Sequence, residues 1–210
     1  MVAACSGGST GPSDGSPDTI LQNLRVTNLD GSGFPWNGAA AGRLKRWAEG
    51  ELIPVQLNGS SLAERALDEI ETTLGRTLFD RSSLDGVAPS EVARGLIVSE
   101  GTAIGPGGVV DGNSCGHVSE GVGTTAWPQG FYDFSGEIAA RLYVHISSSA
   151  CDASLAVAVH EFGHALGMGA HFGGFGNGPA AGADFWNVLN AIYSNPVGAE
   201  AAQLQLDAIR

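Results

Sequence analysis

Three of the chain's five histidines fall within twelve residues, His160-Glu161-Phe162-Gly163-His164-Ala165-Leu166-Gly167-Met168-Gly169-Ala170-His171. No other stretch limits what the chain can become as strongly. The apolar lead-in Leu155-Ala156-Val157-Ala158-Val159 predicts a helix that runs through the pentad, within an apolar stretch at helical spacing over 153–167. Residues four apart share a helix face, so His160 and His164 can present two imidazoles to one ion. Glu161 sits about 100° further round and can reach a water that the ion polarises without ligating the ion itself. Gly167 permits a helix end or a positive-φ turn, from which His171 can fold back as a third ligand. Three nitrogen ligands and an open fourth position are the pattern of a reactive zinc rather than a structural one. A helix with a merely solvated histidine face would need none of the lead-in, glycine and further histidine that coincide here.

The chain has 210 residues, enough for one domain with appendages and for a core that needs no metal or staple. Hydrophobic residues make up 43%, charged residues only 15%, and 32 glycines predict many loops. The net charge of −12 offers no basic surface to a nucleic acid, which is excluded as a partner. No apolar run of membrane-spanning length occurs. Strands are expected at Leu52–Leu57, Gly95–Ser99 and Arg141–Ile146, with a short one over Thr124–Trp127 before Pro128. The glycine-rich stretch 101–123 reads as loop. Ser61-Leu62-Ala63-Glu64 reads as a capping box opening a helix to Leu74. Further helices are expected over Asp184–Tyr193 and Ala199–Ile209. This order of elements describes an α+β or α/β single domain over 19–210.

Residues 1–18 read as a tether of Ser, Gly, Pro and Asp. Within it Val2-Ala3-Ala4-Cys5 resembles the processing site of bacterial lipoproteins, which implies lipidation at Cys5 and anchorage to a cell envelope as the one link to a membrane. Setting Cys5 aside leaves Cys115 and Cys151, which an exported protein would join in a disulfide rather than keep as two separate buried thiols.

At residues 160–171 the chain resembles the metzincin metallopeptidases, and within them the matrixin-like enzymes, whose pattern is His-Glu-x-x-His-x-x-Gly-x-x-His. His160, His164 and His171 match the metal ligands, Glu161 the general base and Gly167 the turn glycine. The resemblance extends over about residues 46–171, through Arg46-Trp47 and the Ser61–Leu74 helix. It implies a zincin-like α+β fold: a twisted, mostly parallel sheet with an antiparallel edge strand, an active-site helix and a small C-terminal helical subdomain. It also implies a zinc cofactor, a monomer, and a peptide or protein substrate laid along an edge strand, here Thr124, Thr125 and Ala126. Calcium accompanies many matrixins, although no acidic loop here has calcium-binding spacing.

Two features depart from the family. His171 comes one residue late. No methionine stands where the family's Met-turn lies, since the chain has only Met1 and Met168. Residues 191–196 are the candidate replacement turn, with Tyr193 either packing there or donating to a transition state. Asp184 or Glu200 could replace His171 as third ligand in a zincin of another branch. A surface lipoprotein with a structural zinc remains the non-enzymatic alternative, and His117 and His145 read as structural.

Overall fold

In the computed structural model, residues 15–30 and 40–209 are described; Cys5 and most of the expected tether lie outside them. The tether ends earlier than its composition implied. Ser16 accepts a hydrogen bond from the Thr19 amide, Pro17 occupies the first turn, and helix α1 runs Pro17–Leu24. Serine, proline and aspartate, read as linker, here open a helix, because Ile20 and Leu24 find a core to enter. A π-turn, Arg25–Leu29, follows directly.

The body is an α+β arrangement around a five-stranded mixed sheet: β1 (Ile53–Gln56), β2 (Phe79–Asp80), β3 (Gly95–Glu100), β4 (Gly116–Ser119) and β5 (Arg141–Ile146). Their order is β2-β1-β3-β5-β4, parallel except for β4, which runs antiparallel to β5 at the edge. Helix α2 (Ser61–Leu74) lies against α3 (Leu155–Ala165) and buries Ala63, Ala66, Leu67, Ile70 and Leu74. Its cap is Ser60 rather than Ser61, for the Ser60 hydroxyl takes the Ala63 amide. Helix α4 (Ala183–Ser194) packs on α1.

Two expectations give way here. The antiparallel edge strand is Gly116–Ser119, inside the stretch read as loop, while Thr124–Trp127 is not a strand. Residues 120–126 instead fold back beside β4: the Glu120 amide donates to the Ala126 carbonyl (2.8 Å), and His117 Nε2 lies 3.2 Å from the Thr124 carbonyl. The expected C-terminal helix is one 3₁₀ turn, Ala201–Gln203, followed by an extended segment. Asparagines on and just beyond α4 hold that segment. Asn195 bonds both the Gln205 amide (2.7 Å) and carbonyl (2.8 Å), Asn190 the Asp207 carbonyl (3.1 Å), and Asn187 the Ile209 amide (3.0 Å). These side chains satisfy backbone groups that a helix would have satisfied internally.

His145 on β5 is completely buried, stacked on His117 of β4 at 4.1 Å between ring centres and on Tyr143 at 6.1 Å. Its ring nitrogens meet Thr102 Oγ1 (2.6 Å) and Ser119 Oγ (2.9 Å). Desolvation, with help from His117, holds its pKa down at about 4 from 6.5. Between those values the unfolded chain binds the proton and the folded chain does not, so folding stability falls as pH drops from about 6.5 to about 4. In thermal melts of the metal-free protein across that window His145 should account for a loss of up to about 3 kcal/mol beside the shares of the other buried histidines, and His145→Gln should remove its share.

Candidate metal centre

Helix α3 is capped at its start by Ser154, whose hydroxyl accepts the Val157 amide, and at its end by Leu166. Gly167 then takes φ +110°, where a side chain would meet the Lys45 carbonyl at 2.7 Å. That reversal brings His171 back over the helix despite the additional residue. His171 Nε2 lies 3.1 Å from His160 Nε2 and 3.2 Å from His164 Nε2. Two nitrogens held tetrahedrally at zinc bond lengths of ~2.0–2.1 Å stand about 3.3 Å apart. The spacing thus fits a shared ion.

The other ring nitrogens set the tautomers. His160 Nδ1 donates to the Ala180 carbonyl at 2.9 Å, and His164 Nδ1 to the Met168 carbonyl at 2.6 Å. A carbonyl only accepts, so both Nδ1 atoms carry the proton and both Nε2 lone pairs face the centre. Burial depresses all three imidazoles: His160 to about 4, His164 well below its ordinary value, and His171 in the same direction. Neutral imidazoles are the metal-binding form. Among the described residues, these three form the one group of His, Cys, Asp or Glu side chains able to hold a metal ion. Asp184 and Glu200 do not join it: Asp184 lies in the first turn of α4, and Glu200 caps the 3₁₀ turn together with Gln203. No carboxylate cluster for calcium appears among the described residues.

Glu161 is buried beside this group, and its Oε2 has no hydrogen-bond partner. Burial pushes its carboxyl up to about 8; a cation held by the histidines would pull it back down. Its neighbour is the edge strand. A Cβ on Gly116 would stand 2.6 Å from both Cγ and Oε1 of Glu161. Only glycine leaves the carboxylate room.

Phe175, fully buried, packs against all three imidazoles, with ring centres 4.3 Å from His160, 4.7 Å from His164 and 5.4 Å from His171. Gly163, inside α3, makes this possible, because a Cβ there would lie 2.5 Å from Phe185 and 3.2 Å from Phe175. Residues 191–196, expected as the replacement turn, instead form the end of α4 and its exit. Tyr193 gives its hydroxyl proton to the Leu166 carbonyl at 3.1 Å, with the Arg46 guanidinium over its ring at 4.7 Å. The packing alternative for Tyr193 therefore fits and the transition-state donor does not. Gly116 and Phe175 were not singled out from sequence, although two aromatics in Phe172-Gly-Gly-Phe175 directly after His171 offered a signal for the second.

Cys115 and Cys151 form a disulfide, with Cα atoms 5.2 Å apart. It joins the start of β4 to the segment leading into α3, and so links the strand that houses the Glu161 carboxylate to the helix that carries it. Comparison with known protein families, curated proteins and solved structures finds no match. The functional reading therefore rests on this geometry and on the motif.

Proposed function

We propose that the chain is a zinc-dependent endopeptidase of metzincin-like, matrixin-like design, with His160, His164 and His171 as ligands and Glu161 as general base. The observation that carries this reading is the convergence of three neutral imidazole nitrogens beside a buried carboxylate with a free oxygen. A structural zinc needs a fourth protein ligand and has no use for such a carboxylate, so the binding-protein alternative is the weaker one.

Zinc, when bound, would supply a Lewis acid that polarises the scissile carbonyl and acidifies the attacking water. Glu161 would take the proton of that water and pass it to the leaving amine. Phe175, packed against the three imidazoles, would keep them from turning. The substrate seat moves from Thr124, Thr125 and Ala126 to β4. The Ser147 amide donates to the Cys115 carbonyl (2.8 Å), so by antiparallel alternation Gly116 and Val118 turn their amides and carbonyls toward the open edge of the sheet. An extended peptide would pair there, with residues 124–126 beside it. We read the disulfide and the Cys5 sequence together as marks of an exported, envelope-anchored protein, and the fold as zincin-like.

Zinc content after purification without added metal, followed by a peptide-library digest with and without chelator, tests the reading. One zinc per chain and chelator-sensitive cleavage support it; a chain that takes up no zinc overturns it. Gly116→Ala should keep that zinc and lower kcat about 100-fold, because its methyl displaces Glu161 by an ångström or so. Hydrolysis assays beside metal analysis check this.

A further inference from the structure

Four consecutive carbonyls leave the end of α3, and four side chains, three from distant parts of the chain and one from α3 itself, take them one by one. Trp47 Nε1 donates to Ala165 (2.9 Å), the Tyr193 hydroxyl to Leu166 (3.1 Å), Asn28 Nδ2 to Gly167 (2.7 Å) and His164 Nδ1 to Met168 (2.6 Å). The next polar group, the Gly169 amide, donates to the Thr27 carbonyl at 2.7 Å. The loop between the second and third histidines is thus fastened on both sides of Met168 by the π-turn after α1. That turn is itself pinned. Asn28 is wholly buried, its Oδ1 accepts the Lys45 amide (2.9 Å), and its Nδ2 also reaches the Lys45 carbonyl (2.8 Å). The buried Lys45 ammonium crosses back to the carbonyls of Asn28 (2.8 Å), Leu29 (3.1 Å) and Arg43 (3.0 Å).

We infer that Asn28 is a positioning residue for the metal centre, acting through the Gly167–Gly169 loop on His164 and His171. The Met168 carbonyl is the acceptor that fixes the His164 tautomer, and its place is set by its two neighbours, which Asn28 and Thr27 hold. The same grip sets the direction in which the chain continues to His171. The helix's own His164 and Gly163 carbonyls hold the Gly167 (3.1 Å) and Met168 (3.0 Å) amides, and Asn28 with Thr27 adds the hold on the Gly167 carbonyl and the Gly169 amide, from which the additional residue before His171 departs. The N-terminal segment is then part of the site, not an appendage to it. This rests on the zinc reading for its functional meaning, but the tautomer it predicts does not.

Asn28→Asp and Asn28→Ala test it. Aspartate preserves volume and the acceptor for the Lys45 amide while removing the donor to Gly167, so it retains the fold if alanine does not. Zinc affinity, measured by competition with a chromophoric chelator, should fall about 10- to 100-fold in both. Nitrogen-15 spectra of the metal-free protein should show His164 wholly in the Nδ1–H form in the parent and in mixed tautomers in the variants. Leu78→Ala, a core truncation outside the loop, should lower the melting temperature yet leave affinity within about threefold and the tautomer intact. Parental affinity and tautomer in the Asn28 variants, or equal losses in Leu78→Ala, would overturn the inference. A parent that binds no zinc sinks the peptidase reading instead, and the tautomer then decides alone. Should neither variant fold, the parent still answers. By reciprocity, zinc must slow hydrogen exchange at the Gly169 amide, and unchanged exchange rejects the coupling.

Discussion

Glu161→Gln should bind zinc with parental affinity and hydrolyse peptides slower by three orders of magnitude or more. The amide matches the carboxylate in shape, and the space that Gly116 leaves for the side chain accepts either. What the substitution removes is the capacity to take a proton, and a positioned general base contributes about 10²- to 10⁴-fold. The fold should not suffer, because Oε2 makes no hydrogen bond that the variant could lose. Steady-state hydrolysis, metal analysis and a thermal melt on one preparation separate the three effects. Parental turnover in the variant would reject Glu161 as the base.

His171→Ala should have the largest effect on metal. Tight zinc sites amount to about 10–16 kcal/mol in all. Losing one of three nitrogen ligands therefore weakens binding on the order of a thousandfold, since 4.1 kcal/mol corresponds to three decades in Kd. The same difference should appear in stability. At zinc a thousand times above Kd, ligation adds about 4.1 kcal/mol to the parent fold, and most of that increment should be missing in the variant. Paired melts with zinc and with chelator read it directly. A variant that keeps the full zinc-dependent shift would remove His171 from the ligand set, and with it the motif on which the metzincin-like reading stands.

The parts of this molecule that the sequence exposed are those written in short-range periodicity. The 160/164 pair must share a face on any helix, and Leu142, Val144 and Ile146 alternate as a half-buried strand does; both are in place. His171 was legible as a partner because Gly167 allowed a reversal, even with the count off by one. What escaped depends on neighbours far along the chain. Gly116–Ser119 is four residues in a glycine-rich stretch and becomes a strand only because β5 offers an edge to pair with. Ala-Ala-Gln-Leu-Gln-Leu-Asp-Ala-Ile, 201–209, suits a helix by propensity, yet three asparagines claim its backbone in extended form. Asn28 reaches a carbonyl 139 positions away, and no local pattern announces such a bond. Phe175 serves the histidines through packing that depends on two glycines, Gly163 and Gly176; a Cβ on Gly176 would lie 2.6 Å from the His171 ring.

The ring packed against all three imidazoles is a hydrocarbon, that of Phe175. Methionine sulfur takes up oxygen from peroxide and turns an apolar side chain into a polar sulfoxide; a phenyl ring has no such reaction. Met168, the chain's one methionine besides Met1, is fully buried and serves the site through its main-chain carbonyl, which oxidation of its sulfur leaves chemically unchanged. The support under the histidines therefore keeps its polarity in an oxidising milieu, the same condition in which Cys115 and Cys151 stay joined.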